Sequence, residues 1–137
     1  MGATKRILVV DDEKGIRFLL SEALLREGFE VTLARDGQES LERLEKADFD
    51  LVITDINMPR LDGIEMLKSM KKIGRKEKVI IMTGNPSELG LPDKEMPHIA
   101  SKLLKPFGID NLLSAVIAAM GSREVPHKSE YWHAATA

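Results

Sequence analysis

The chain has no cysteine, so it can build neither a disulfide framework nor a thiolate metal site or thiol nucleophile. It has no strong excess of charge either. A net charge of -2 and a pI near 5.9 give no electrostatic case for nucleic acid. A long hydrophobic run is also missing. LLSAVIAAM at 112–120 is the longest nearly apolar stretch and has about half the length that a membrane span needs. The N-terminus, MGATKR, lacks the apolar centre of a signal peptide and the hydroxyl residue that a myristoylation motif wants. The only Tyr and Trp, Tyr131 and Trp132, stand together near the C-terminus. These absences lead to the expectation of a soluble, cytoplasmic protein.

What is present suits one ordinary domain. The 137 residues are 43% hydrophobic and 31% charged, a globular balance. Short apolar runs alternate with longer segments of helical period, the pattern of βα units around a parallel sheet. The predicted strands are ILVV (7–10), EVTLA (30–34), LVIT (51–54), VIIMT (79–83) and KLLK (102–105). Helical spacing predicts helices over 14–27, with Ile16, Leu19, Leu20, Ala23 and Leu24 on one face, and over 37–47, 63–73 and 108–120. Gly28 and Gly74 read as helix stops, and Asp36 with Glu39 has the spacing of a capping box. Between Thr83 and Lys102 the chain carries Pro86, Pro92 and Pro97, and an interior proline costs a helix about 3 kcal/mol. A fourth helix there is expected to be short or irregular. Residues 1–120 are read as the domain and 121–137, which have no periodicity, as a tail or linker.

In an open parallel sheet, ligands sit beyond the carboxyl ends of the strands. The first predicted strand runs into Asp11 and Asp12, the third into Asp55, the fourth ends in Thr83 and the fifth in Lys105. Carboxylates gathered on one rim repel, by about 1 kcal/mol per pair at 4 Å in water and about 4 at an effective dielectric of 20. All-oxygen donors without His or Cys favour a hard divalent cation, and Mg2+ fits better than Ca2+. A cation, a lysine and a hydroxyl facing one aspartate are what phosphoryl transfer asks for, with Asp55 as nucleophile and acceptor. Each residue alone has a bland reading as a turn, a cap or a solvated strand end, and only their joint order makes a site. The methionines read as core filler, and His98, His127 and His133 show no metal-ligand pattern.

From about Lys5 to Met120 the sequence resembles a response-regulator receiver domain of two-component signalling, of the CheY-like group. The resemblance is carried by Asp11–Asp12 after ILVV, by DLVITDINMPRLDG around Asp55, by Thr83 after VIIM and by KPF at 105–107. It implies a flavodoxin-like, five-stranded parallel sheet of order 2-1-3-4-5 with helices on both faces. It further implies that Asp55 takes a phosphoryl group from a histidine kinase or histidine phosphotransfer protein. Asp11, Asp12, Asp55 and the backbone of Asn57 would bind Mg2+, Asp11 mainly through water, while Lys105 and Thr83 would engage the phosphoryl oxygens. Pro106 would follow a cis peptide. The product would be a signalling switch that acts only on its own aspartate, as a monomer or a phosphorylation-dependent dimer, with a protein as its target. Two departures stand out: Lys102 occupies a position that is usually aromatic, and the proline-rich segment 85–98 replaces a regular helix. Asn57 and Asn85 stand where receivers tune phosphoryl lifetime. Other readings are a receiver belonging to a larger regulator, a binding module that has lost phosphorylation, and a small Mg2+-dependent aspartyl-phosphate phosphohydrolase.

Overall fold

A computed structural model describes residues 4–58, 60–90 and 97–120. The elements run β1 (Arg6–Val10), α1 (Lys14–Arg26), β2 (Glu30–Ala34), α2 (Gly37–Lys46), β3 (Leu51–Asp55), α3 (Gly63–Lys72), β4 (Lys78–Thr83), a short 3-10 helix (Pro86–Gly90), β5 (Ile99–Leu104) and α4 (Ile109–Met120). The strands form one parallel sheet of order β2-β1-β3-β4-β5. Both the fold class and the strand order are as the sequence implied.

Successive strand residues point to opposite faces of the sheet, so each apolar run feeds two cores. Leu8, Val10, Val52, Val79 and Ile81 meet Leu44, Met66, Leu67 and Met70 from α2 and α3. Ile7, Val9, Leu51, Ile53, Ile80 and Met82 meet Leu20, Leu24, Leu112 and Val116 from α1 and α4. Each fully buried aliphatic side chain contributes about 1.5–3 kcal/mol, which explains why the central strands β1, β3 and β4 are apolar through their middles (ILVV, LVI and VIIM), while β2 and β5 at the sheet edges carry Thr32, Ser101 and Lys102. Met58, Met66, Met70 and Met82 are core, as expected.

The helix ends follow from local chemistry. Gly28 and Gly74 take positive φ (91° and 83°), the left-handed conformation that glycine adopts without a Cβ penalty. After α1, Phe29 N–H donates to the Leu24 carbonyl (3.2 Å) and Gly28 N–H to that of Leu25 (3.0 Å). Arg75 and Gly74 close α3 in the same way, onto Met70 (3.0 Å) and Lys71 (3.1 Å). Asp36 and Asp62 cap α2 and α3 by accepting from the N–H groups of Glu39 and Glu65.

Two expectations are corrected and a third holds. β5 covers Ile99–Leu104 rather than 102–105, so Lys105 lies just beyond the strand; a register shift between Val79 and Ile80 lets the pairing begin early. Leu19, assigned to the inner face of α1, is exposed. The crossover after β4 forms a 3-10 helix at 86–90, consistent with at most a turn or two, while residues 91–96 lie outside the described residues. The expected tail at 121–137, with His127, Tyr131, Trp132 and His133, also lies outside them.

Candidate functional site

Chain order reverses between β1 and β3, which are adjacent in the sheet, and that switch point is where an open α/β sheet leaves a crevice. Val10 stands opposite Thr54. The next residues, Asp11 and Asp55, therefore come together at the carboxyl edge. Asp12 joins them, and one carboxylate oxygen from each of Asp11, Asp12 and Asp55 lies within 4.8 Å of the others.

Asp11 is fully buried and held at several atoms. Its N–H donates to the Ala34 carbonyl (3.1 Å), its own carbonyl accepts from the Arg17 guanidinium (2.8 Å), and its Oδ1 accepts from Glu13 N–H (2.9 Å). Lys105 Nζ donates to Asp11 Oδ2 (2.8 Å) and to Asp55 Oδ2 (3.0 Å), with Glu13 Oε1 at 3.6 Å. One ammonium thus bridges two carboxylates from different strands. Burial pushes the Asp11 carboxyl above its ordinary range, and the hydrogen bonds from Lys105 and Glu13 offset only part of that. Burial also opposes the Lys105 charge, but the hydrogen bonds to Asp11 and Asp55 outweigh it and hold this lysine above its ordinary value. Lys105 is therefore a fixed cation at any physiological pH.

Two backbone features hold the site in register. Lys105 N–H donates to the Thr83 carbonyl (2.7 Å), and the Lys105–Pro106 peptide is cis, as expected for Pro106. At Gly63 a Cβ would come within 2.2 Å of the Asp55 carbonyl oxygen, so only glycine lets α3 start this close to β3.

Not every predicted residue points at Asp55. Thr83, buried at the end of β4, donates its hydroxyl to the Glu88 carboxylate and accepts from Asn85 N–H (3.0 Å). Asn57 donates its backbone N–H to Asp55 Oδ1 (3.3 Å), while its side-chain amide donates to Glu88 Oε1 (3.1 Å). Asn85 turns its side chain to Ser87, accepting from its N–H (3.1 Å) and hydroxyl (2.9 Å). Lys102 stands within β5, opposite Ile81. Sequence reasoning missed Glu88, Glu13 and Arg17. A signal existed for Glu88: Asn85, Pro86 and Glu88 have the cap, first-position and third-position spacing of a helix start.

The donor set consists of carboxylate oxygens, with Asp11 and Asp55 buried and Asp12 exposed, and a single lysine to offset three negative charges. That chemistry fits a small hard cation such as Mg2+. No helix among the described residues is long and apolar enough to cross a membrane.

An acid-lined crevice with a bridging lysine at the switch point of a 2-1-3-4-5 parallel sheet places the chain in the flavodoxin-like class of α/β domains. Comparisons with known proteins agree. The profile of the response regulator receiver domain matches residues 7–117. Sporulation initiation phosphotransferase F of Bacillus subtilis is 38% identical over 112 residues, 82% of this chain and 90% of that protein. Regulatory protein AtoC of Escherichia coli is 33% identical over 135 residues, 98% of this chain but 29% of that protein. Among solved structures, response regulator TrrA of Thermotoga maritima, in complex with Mg(2+)-BeF, has a TM-score of 0.76 at 36% identity and covers 85% of this chain and 99% of its own. The chain belongs to the response regulator receiver domain family of two-component signalling.

Proposed function

We propose that this receiver is a phosphorylation switch in which Asp55 is the acceptor. The observation that carries the proposal is the Lys105 bridge: its ammonium contacts Asp55 and Asp11 together, at 3.0 and 2.8 Å, beside the exposed Asp12. An oxygen of the Asp55 carboxylate attacks the phosphorus of a phosphohistidine on a histidine kinase or phosphotransfer protein. The new P–O bond makes an acyl phosphate, the P–N bond breaks, and the imidazole leaves with its electron pair. Mg2+ held by Asp11, Asp12, Asp55 and the Asn57 carbonyl would supply charge neutralisation for the incoming group. Lys105 orients the acceptor and stabilises the phosphoryl oxygens, and Thr83 supplies a hydroxyl donor once it turns toward them. Phosphorylation can favour only the conformation that contacts the phosphoryl group better, so a Thr83-linked rearrangement would present a changed surface to a protein target in the cytoplasm.

We further read residues 1–120 as the receiver and 121–137 as a tail or linker, in line with a family match that ends at 117. The chain's oligomeric state, monomer or phosphorylation-dependent dimer, would follow from which surface changes. A larger regulator is the second reading, favoured by the match to AtoC, of which this chain spans 29%. The test is intact-protein mass spectrometry after incubation with acetyl phosphate, with and without Mg2+, beside Asp55→Asn. One Mg2+-dependent phosphoryl adduct, absent in the variant, is expected. An adduct that persists in Asp55→Asn moves the acceptor elsewhere, and none in either protein removes direct acceptance from small donors.

A further inference from the structure

Two donors at the rim of the site, the Thr83 hydroxyl and the Asn57 side-chain amide, converge on one acceptor, Glu88 Oε1. They come from the last residue of β4 and from the loop after β3, the strand that ends in Asp55. Glu88 is held there by a short relay that begins and ends at Thr83. Asn85 N–H donates to Thr83 Oγ1 (3.0 Å), the Asn85 side chain accepts from Ser87 (3.1 and 2.9 Å), and Glu88 N–H donates to the Asn85 carbonyl (2.9 Å). The Glu88 carboxylate then returns to the Thr83 hydroxyl. Each bond in the ring orients the next, and hydrogen bonds that polarise one another in this way tend to be made and lost together.

A carboxylate oxygen that accepts from a threonine hydroxyl and an asparagine amide makes the same demand on them as a phosphoryl oxygen would. Both are anionic acceptors and neither brings a donor. A hydroxyl has one proton to give, so Thr83 can serve Glu88 or a phosphoryl group, not both. Asn57 adds to the conflict, because its backbone N–H is already on Asp55 Oδ1 (3.3 Å) while its side chain is on Glu88. A group bonded to Asp55 would therefore arrive beside the anchor of Glu88, and two anions in that space repel.

We propose that Glu88 is a positioning residue: it holds Thr83 and Asn57 in the unmodified receiver as an internal stand-in for the phosphoryl group, and phosphorylation of Asp55 expels it together with the 3-10 helix Pro86–Gly90. This rests on Asp55 being the acceptor. The 3-10 helix packs against β4 and β5, so its release would alter the β4–β5 edge of the domain, beside the loop that carries Lys105. The latch and the phosphoryl group are thermodynamic competitors. Weakening the latch must favour phosphorylation to the same extent that phosphorylation weakens the latch.

The test compares the full chain with Glu88→Ala, Glu88→Gln, Thr83→Val and the Thr83→Val/Glu88→Ala double variant. The initial rate of Mg2+-dependent acetyl phosphate labelling is read by intact mass, and amide hydrogen exchange of Asn85 and Glu88→Gln or wild-type residue 88 is read by NMR without any donor. Glu88→Ala is expected to label roughly two- to fivefold faster than wild type, the range that an exposed charge interaction supports, with Glu88→Gln between them. In the Thr83→Val background the same Glu88→Ala change should give little or no gain, because the shared hydroxyl is gone. Asn85 should exchange faster in Glu88→Ala than in wild type with no donor present. Equal labelling rates in wild type and Glu88→Ala, or a gain of undiminished size in the Thr83→Val background, would overturn the latch while leaving the acceptor in place. If wild type takes no phosphoryl group, the acceptor proposal fails by itself; the latch is then decided by exchange, and unchanged Asn85 protection in Glu88→Ala overturns it.

Discussion

Gly63 shows how one missing methyl sets the site. Its N–H donates to the Ile56 carbonyl (2.8 Å), and a Cβ there would lie 2.2 Å from the Asp55 carbonyl oxygen and 2.8 Å from Ile56 Cα. Backbone cannot yield as a flexible side chain would, so Gly63→Ala should push α3 away from β3 and cost about 1–3 kcal/mol, the usual range for overpacking. A urea midpoint unchanged from wild type would contradict it. Glu77 makes a second residue-scale case. It is buried, accepts from Phe49 N–H (3.2 Å) and pairs with Arg75, which also donates to the Leu44 (2.8 Å) and Ala47 (3.0 Å) carbonyls at the end of α2. Burial pushes the Glu77 carboxyl up, but the Arg75 guanidinium and backbone N–H groups more than offset it and hold it below the ordinary glutamate value of 4.5. The folded state thus binds this proton less readily than the unfolded state. Its contribution to stability is present above that ordinary value and is lost as pH falls through the depressed one. Glu77→Gln should cost about 3 kcal/mol near neutrality, because Arg75 loses its buried charged partner and keeps only the looser contact with the exposed Asp48 (3.5 Å), and should flatten the acid limb of the stability profile. Urea midpoints measured from neutral to acid pH will show whether the two curves converge at the acid end.

The helices are the elements that the sequence announces most clearly, because their ends are encoded locally. Asp36 and Asp62 accept from Glu39 N–H (2.8 Å) and Glu65 N–H (3.0 Å), and Gly28 and Gly74 close α1 and α3. The Glu39 side chain reaches back to Arg35 N–H (2.8 Å), one residue before the cap, so the box is shifted rather than absent. The two caps should differ in strength. Asp62→Ala should cost about 1 kcal/mol, the ordinary value for a lost N-cap. Asp36→Ala should cost more, because Asp36 is buried: its removal leaves the Glu39 N–H without its acceptor and also takes away the ion pair with the exposed Arg60 guanidinium. Equal losses in thermal unfolding would show that the Arg60 pair adds nothing. β5 was harder to read for a physical reason. It is an edge strand with only β4 beside it, and IASKLL lacks the unbroken apolar run that two covered faces impose on β3 and β4. Asp11, Asp12, Asp55, Thr83 and Lys105 were legible because parallel strands deliver their carboxyl ends to one rim whatever the loops do. Glu88 was not, since its partners Thr83 and Asn57 meet it only when the loops after β3 and β4 fold against each other.

At the scale of the whole molecule, the sheet that makes the core also makes the conflict. Five parallel strands bury apolar residues on both faces and bring Asp11, Asp12 and Asp55 together at one edge, with Lys105 to offset one charge. Removing a charge from this rim should therefore stabilise the metal-free fold. Asp55→Asn leaves Lys105 its contact with Asp11 while deleting a like-charge neighbour, a change of about 1 kcal/mol or more in partly solvated surroundings. A cation that binds only the folded cluster should do the same for wild type, raising stability by about 2.7 kcal/mol when its concentration is 100-fold above its Kd. The two effects should not add. In chelator-treated buffer, Asp55→Asn is expected to unfold at higher urea than wild type; with saturating Mg2+ wild type gains and the variant gains little, so the order narrows or reverses. Sodium chloride at matched ionic strength separates specific binding from screening, because screening weakens repulsion in both proteins alike. If Mg2+ stabilises Asp55→Asn as much as wild type, the cation binds somewhere other than this cluster. If wild type is already the more stable protein without metal, Lys105 offsets more of the repulsion than one charge against three suggests.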